Sequence, residues 1–228
     1  MGGYFVPKLV SESKEMMQAL GLEWEPVAVR LQSTPDERGD SSRKIRICQA
    51  FDAVRRENVI LNFSKENCIC PGARHFTGLE TMPLEKVAGV WTNVHKAYES
   101  VEKALESIRK QPQPVKMGEY VVLSPLSKME KKPDMVSVFV NPAQADRLLG
   151  LISYRGAEPF SYYPVSNVCS IITNTLAKGR PEINFVAGHG RGFADWSQGE
   201  MMVGLPFHLY LEACRNIPSS GFGTALKK

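Results

Sequence analysis

Apolar residues recur along this chain at two spacings, three to four apart and in short unbroken runs, and the alternation of the two predicts its elements. Leu9, Val10, Met16, Met17 and Leu20 mark one face of a helix over Pro7–Leu20, which Gly21 closes. The β-branched run that follows Pro26 predicts a core strand, and the polar stretch from Gln32 to Lys44 an exposed, mobile loop. Ile47, Ala50, Phe51 and Val54 predict a helix over Ile47–Glu57, and Val59–Phe63 a strand. Helical spacing returns over Pro83–Trp91 and again over Val94–Lys110, where Gln111-Pro112 ends it.

Two further apolar runs, Tyr120–Leu123 and Met135–Val140, predict central strands joined by a polar loop. Asn141-Pro142 opens a helix, with proline in the tolerated first turn. A loop over Gly156–Pro164, a helix over Ser166–Leu176, a strand at Ile183–Val186, a flexible glycine turn at Gly188–Gly192, a strand at Glu200–Val203 and a helix at Leu205–Asn216 complete the chain. Strands and helices interleave without a long linker. The expected fold is therefore α/β or α+β: a single domain over residues 1–228 with a mixed sheet covered by helices, compact over 22–217 and frayed over 218–228.

With 228 residues, 43% of them hydrophobic, the chain is long enough for one substantial core. Its formal charge of +4 is spread along the sequence, the densest basic runs lie in polar loops, and no nucleic-acid reading motif is present, which argues against a nucleic-acid partner. No stretch reaches the roughly 20 apolar residues of a membrane span, and the N-terminus lacks the apolar centre of a signal peptide. A cytoplasmic protein with no membrane partner is expected. In such a protein five cysteines, an odd number, read as reduced thiols or metal ligands rather than a disulfide framework.

Three of the five fall between Arg46 and Glu80. Cys48 heads a predicted helix, while Cys68 and Cys70 bracket one residue in a turn that Pro71-Gly72 ends. With Cys169 they make four thiols, enough for a tetrahedral zinc ion or an iron–sulfur cluster. The plainer reading is that free cysteines act as small buried hydrophobes, with no cofactor at all, and this is the expectation for Cys214 on the last helix. Thiol chemistry is a third use, with Cys70 as nucleophile beside Arg46 or Arg74.

A second set of residues points to an anion. Gly188-His189-Gly190-Arg191-Gly192 has glycine amides that can cradle one, with Arg191 adding charge and His189 suited to acid–base or ligand work. It is neither a P-loop nor a dinucleotide fingerprint. Asn141 and Gln144 sit where a strand gives way to a helix, a common ligand position, although Asn141 also makes a good helix cap.

Several motifs gather into a resemblance: Arg46-Ile-Cys48-Gln-Ala, Cys70-Pro-Gly72-Ala with Gly78-Leu-Glu, Pro133-Asp134 before a strand ending in Asn141-Pro142-Ala-Gln144-Ala, Cys169, and the glycine turn at Gly188. Over Pro26–Pro206 the chain resembles the domain of unknown function 169 family, prokaryotic proteins common among anaerobes and archaea. The resemblance implies that Cys48, Cys70 and Cys169 are the family's cysteines, with less support for Cys68. A site of three cysteines plus another ligand, or a cluster with one open iron, follows from it.

The leading expectation is a metal-binding, iron–sulfur protein with a redox, sensing or cofactor-handling role in anaerobic metabolism, working with a redox partner protein. The alternative is an enzyme or binding module for a small anionic molecule held by Arg46, Asn141, Gln144 and the glycine turn, with structural cysteines. A third reading is an interaction subunit that pairs with another protein or with itself as a homodimer.

Overall fold

Seven strands form one sheet in the computed structural model, which describes residues 5–114, 118–156, 161–162, 168–186 and 188–223. They are β1 (Val27–Gln32), β2 (Leu61–Phe63), β3 (Tyr120–Pro125), β4 (Met135–Val140), β5 (Ser161–Tyr162), β6 (Glu182–Asn184) and β7 (Met201–Pro206), in the spatial order β2-β3-β1-β4-β7-β6-β5. Every pairing is antiparallel except β5 with β6, which makes the sheet mixed. The two runs predicted as central strands are not neighbours, because β1 lies between them and pairs with both. Asp134 fixes that crossing: its carboxylate accepts from the Leu31 amide at 2.7 Å, and its own amide donates to the Val29 carbonyl at 2.9 Å.

Helices cover both faces, so β4 is buried along its whole length and reads as a continuous apolar run. Val29, Leu61, Leu123, Met135, Phe139 and Met202 point to one face, under α2 (Ile47–Glu57), α3 (Pro71–Phe76), α4 (Leu84–Gly89), α5 (Val101–Lys110) and α7 (Ser170–Lys178). Ala28, Val122, Val136, Val138 and Val203 point to the other, under α1 (Phe5–Leu20), α6 (Pro142–Ser153) and α9 (Phe207–Asn216). This alternation is the two-residue period of a strand. Cys214 is buried in the second core, on α9, as expected.

Four sequence expectations need correction. The 32–44 loop is exposed but not free, since buried Asn62 accepts from the Asp36 amide at 2.8 Å and donates to the Asp36 and Gly39 carbonyls. The helix predicted from Val94 begins only at Val101; before it come a π turn over Val90–Val94 and a reversal at Lys96 (φ +52°), and Ser100 caps the new start by accepting from the Lys103 amide. The predicted turn at Gly188–Gly192 belongs to a short helix, α8 (Gly188–Phe193). The tail does not fray from 218: the Tyr154 hydroxyl donates to the Ser219 carbonyl, Arg147 donates to the Phe222 carbonyl, and the Phe222 ring lies against Gly150. Residues 224–228, and the predicted helix start at Ser166, lie outside the described residues.

Candidate functional site

Cys48, Cys70 and Cys169 come from elements far apart in the sequence and line one cavity of ≈ 60 Å³. Each sits at the start of a helix: Cys48 is the second residue of α2, while Cys70 and Cys169 are the residues just before α3 and α7. Three helix N-termini therefore converge on the cavity. Helix starts carry partial positive charge and favour an anionic occupant. Convergence depends on tertiary packing. α7 lies close on β7 because Gly204 has no side chain; a Cβ there would stand 2.5 Å from the Thr175 hydroxyl and 2.9 Å from Ile171.

The thiols are largely enclosed. Burial pushes Cys48 up to about 11 and Cys68 up to about 12, and drives Cys169 well above the ordinary thiol value. The neighbouring sulfurs reinforce this, Cys70 raising Cys48 and Cys68, and Cys70, Cys48 and Cys68 all raising Cys169. First-turn amides pull the other way at Cys48, but burial dominates. At neutral pH these three are thiols, which argues against Cys48, Cys68 or Cys169 as a thiolate nucleophile. Cys68 stands behind the cavity wall, its thiol donating to the Cys70 carbonyl at 3.4 Å.

The remaining wall is apolar and aromatic. Trp91, in the π turn, is buried and stacks between Phe76 at 5.5 Å and Tyr98 at 5.9 Å, measured between ring centroids. π turns often mark functional positions, and this one delivers His95 to the cavity, with its amide bonded to the Val90 carbonyl at 3.1 Å. Burial, and then the Arg46 cation, hold the His95 imidazole below its usual pKa. Phe193 of α8 closes the mouth, with the Arg46 guanidinium 3.9 Å from its centroid and the His95 ring edge-on at 6.5 Å.

A buried clamp fixes this mouth. Arg55 of α2 is fully buried, paired with Asp52 at 2.9 Å and with Glu200 before β7, and its cation faces the rings of Phe139 and Trp196. The segment running from α8 to β7 is thereby held on α2. Arg191 adds to it by donating to the carbonyls of Phe185, Ser197 and Glu200.

The anion set is not assembled. Asn141 and Gln144 cap α6 reciprocally, each side chain accepting from the other's amide at 2.9 Å. They line a different cavity, ≈ 240 Å³, with Glu23, Trp24 and Glu200. Arg191 is committed to carbonyls, and the His189 side chain is outside the described residues. Of that set, Arg46 and Gly190 of the glycine turn are the described members that reach the thiol cavity. A wider groove, ≈ 950 Å³ along Arg38, Arg43, Asn58 and Lys128, is open, and these cations are already engaged: Arg38 with Asp36 and Glu130, Arg43 with Asp40 and Glu57, Lys128 with the Asn58 carbonyl.

Sequence reasoning missed His95, Trp91 and Phe193. It placed His95 inside a helix, and the one available signal was the polar break over Thr92, Asn93, Lys96 and Ser100 that interrupts the apolar spacing.

Among the described residues, no three or more His, Cys, Asp or Glu side chains stand close enough together to hold a metal ion, and no helix is long and apolar enough to cross a membrane. Comparison with curated proteins and with solved structures gives no match. A family model does match, over residues 15–216, that of the domain of unknown function 169 (DUF169), described as "Uncharacterised ArCR". The match takes in β1 to β7 together with Cys48, Cys70 and Cys169, and on that basis the chain belongs to the DUF169 family.

Proposed function

We propose that the protein holds an iron–sulfur centre on Cys48, Cys70 and Cys169 and serves a redox role. The observation that carries this reading is the convergence of three cysteines, each at a helix start, on one small cavity. Soft thiolate donors suit iron–sulfur clusters and zinc alike. Several features separate the candidates. At ≈ 60 Å³ the cavity is far below the roughly 300–1,000 Å³ of organic-ligand pockets and matches an inorganic group of a few atoms. One zinc ion with Zn–S bonds of about 2.3 Å needs thiolates about 3.8 Å apart. A cluster, whose cysteines bind separate irons, accepts a wider spread of donors.

The chain's own residues define what such a centre would meet. Loading displaces the thiol protons, so uptake is favoured as pH rises. The helix starts and Arg46 offset the negative charge of the thiolates, and buried Trp91 keeps water from the inner wall. When bound, the centre would supply one-electron chemistry, with a partner protein approaching the mouth beside Phe193.

The test is iron and acid-labile sulfide in protein purified without oxygen, with a visible spectrum taken alongside. Stoichiometric iron and sulfide, lost in Cys48→Ser, Cys70→Ser and Cys169→Ser but retained in Cys68→Ser, is the expected result. Colourless wild-type protein without iron overturns the reading.

A further inference from the structure

Arg46 has a cation to spare. Its guanidinium carbon stands over the Phe193 ring, 3.9 Å from the centroid, and among the described residues it forms no ion pair with a carboxylate. Stacking on a ring uses the face of a guanidinium and leaves its in-plane N–H fork free, the geometry that grips a carboxylate through two parallel bonds. The other large basic side chains near the sheet edge, Arg38 and Arg43, are saturated by carboxylates. Arg46 is thus a half-buried cation that stands at a cavity mouth without a carboxylate among the described residues.

The surroundings narrow the ligand. Val90, Val168 and Phe193 line the mouth, and Val94 and Ile69, each adjacent in the chain to a lining residue, are exposed apolar side chains. An apolar body would find contact there. One formal positive charge is balanced by a monoanion.

We propose that the mouth of the thiol cavity binds a small organic monocarboxylate, its head group on the in-plane edge of Arg46 and its apolar body against Phe193, Val90 and Val168. The proposal stands on the mouth and not on the thiol wall, so it does not depend on what the cysteines hold.

Isothermal titration calorimetry of the whole protein, purified without oxygen, tests it with sodium propionate and sodium phosphate as probes. Propionate should bind saturably, one per chain, and more tightly than phosphate. Losing a charge-assisted pair of bonds in Arg46→Gln should weaken propionate about tenfold or more. Arg46→Lys, a point charge without the fork, should fall between, and Arg43→Gln, at the distant groove, should bind as wild type. Thermal melts confirm that the variants are folded. Absence of saturable propionate binding, equal binding by Arg46→Gln, or tighter binding of phosphate overturns the proposal. Iron measured on the same samples separates the two ideas. Propionate binding without iron sinks only the cluster, and iron without propionate binding sinks only the carboxylate.

Discussion

Cys48, Cys68 and Cys169 place opposed demands on their surroundings. Burial favours the neutral thiol, while the helix starts around them favour negative charge, and in the metal-free protein burial wins. The consequence for stability has a definite sign. A thiol whose folded pKa is raised contributes stability that is intact below the ordinary value near 9 and is lost as pH climbs toward about 11 for Cys48 and about 12 for Cys68. Cys68→Ala should be less stable than wild type at pH 8 because it leaves a void. Between pH 9 and 12 the gap should narrow by up to about 1.4 kcal/mol per pH unit, since only in wild type does unfolding release a thiol proton. Urea unfolding of metal-free protein at several pH values measures this, and a gap that stays constant with pH refutes it.

At the scale of elements, α8 carries the lid residue Phe193 while its anchoring lies elsewhere. Glycine-rich sequence has poor helix propensity, which is why Gly188–Gly192 reads as a turn. Tertiary contacts override that: Gly190 packs where a Cβ would sit 3.4 Å from Val186 and 3.5 Å from Val168, and Arg191 is bound to three carbonyls. Val186, just before this helix, holds φ at +54°, unusual for a β-branched residue, with its amide bonded to the Asn184 side chain at 2.8 Å. The Arg55 clamp should matter most. Arg55→Ala takes the buried cation from Glu200 and leaves Asp52 with the less buried Arg56, and should cost about 3–5 kcal/mol. Chemical denaturation reads the loss. A cost below about 1 kcal/mol would mean that the clamp does not hold the 195–200 segment on α2.

Considered whole, the molecule is one sheet with two cores, and each strand feeds both through alternate residues. Neither face can be removed without exposing the other's strands, so heating should give one cooperative transition with matching calorimetric and van't Hoff enthalpies. Two resolved transitions would show that the faces are independent. The same architecture explains what could be read from the chain. Runs such as Met135–Val140 announce strands buried on both sides, and Asn141-Pro142 announces a capped helix start, because those signals are local. Strand order was illegible because β1 inserts between β3 and β4 through pairings remote in sequence. The cysteine site was half legible: Cys48, Cys68 and Cys70 lie within one stretch, but the arrival of Cys169, and the exclusion of Cys68 from the wall, follow from how α7 packs on β7.

That packing also dates the site within the life of the chain. Roughly 100 residues separate Cys70 from Cys169, which at about 5–20 residues per second is some 5–20 seconds of translation. Throughout that interval the nascent chain presents Cys48, Cys68 and Cys70 without their distant companion and without the α8 lid. An incomplete set of thiols is thus exposed on the ribosome, and the finished cavity exists only once the second half of the sheet has closed over the first.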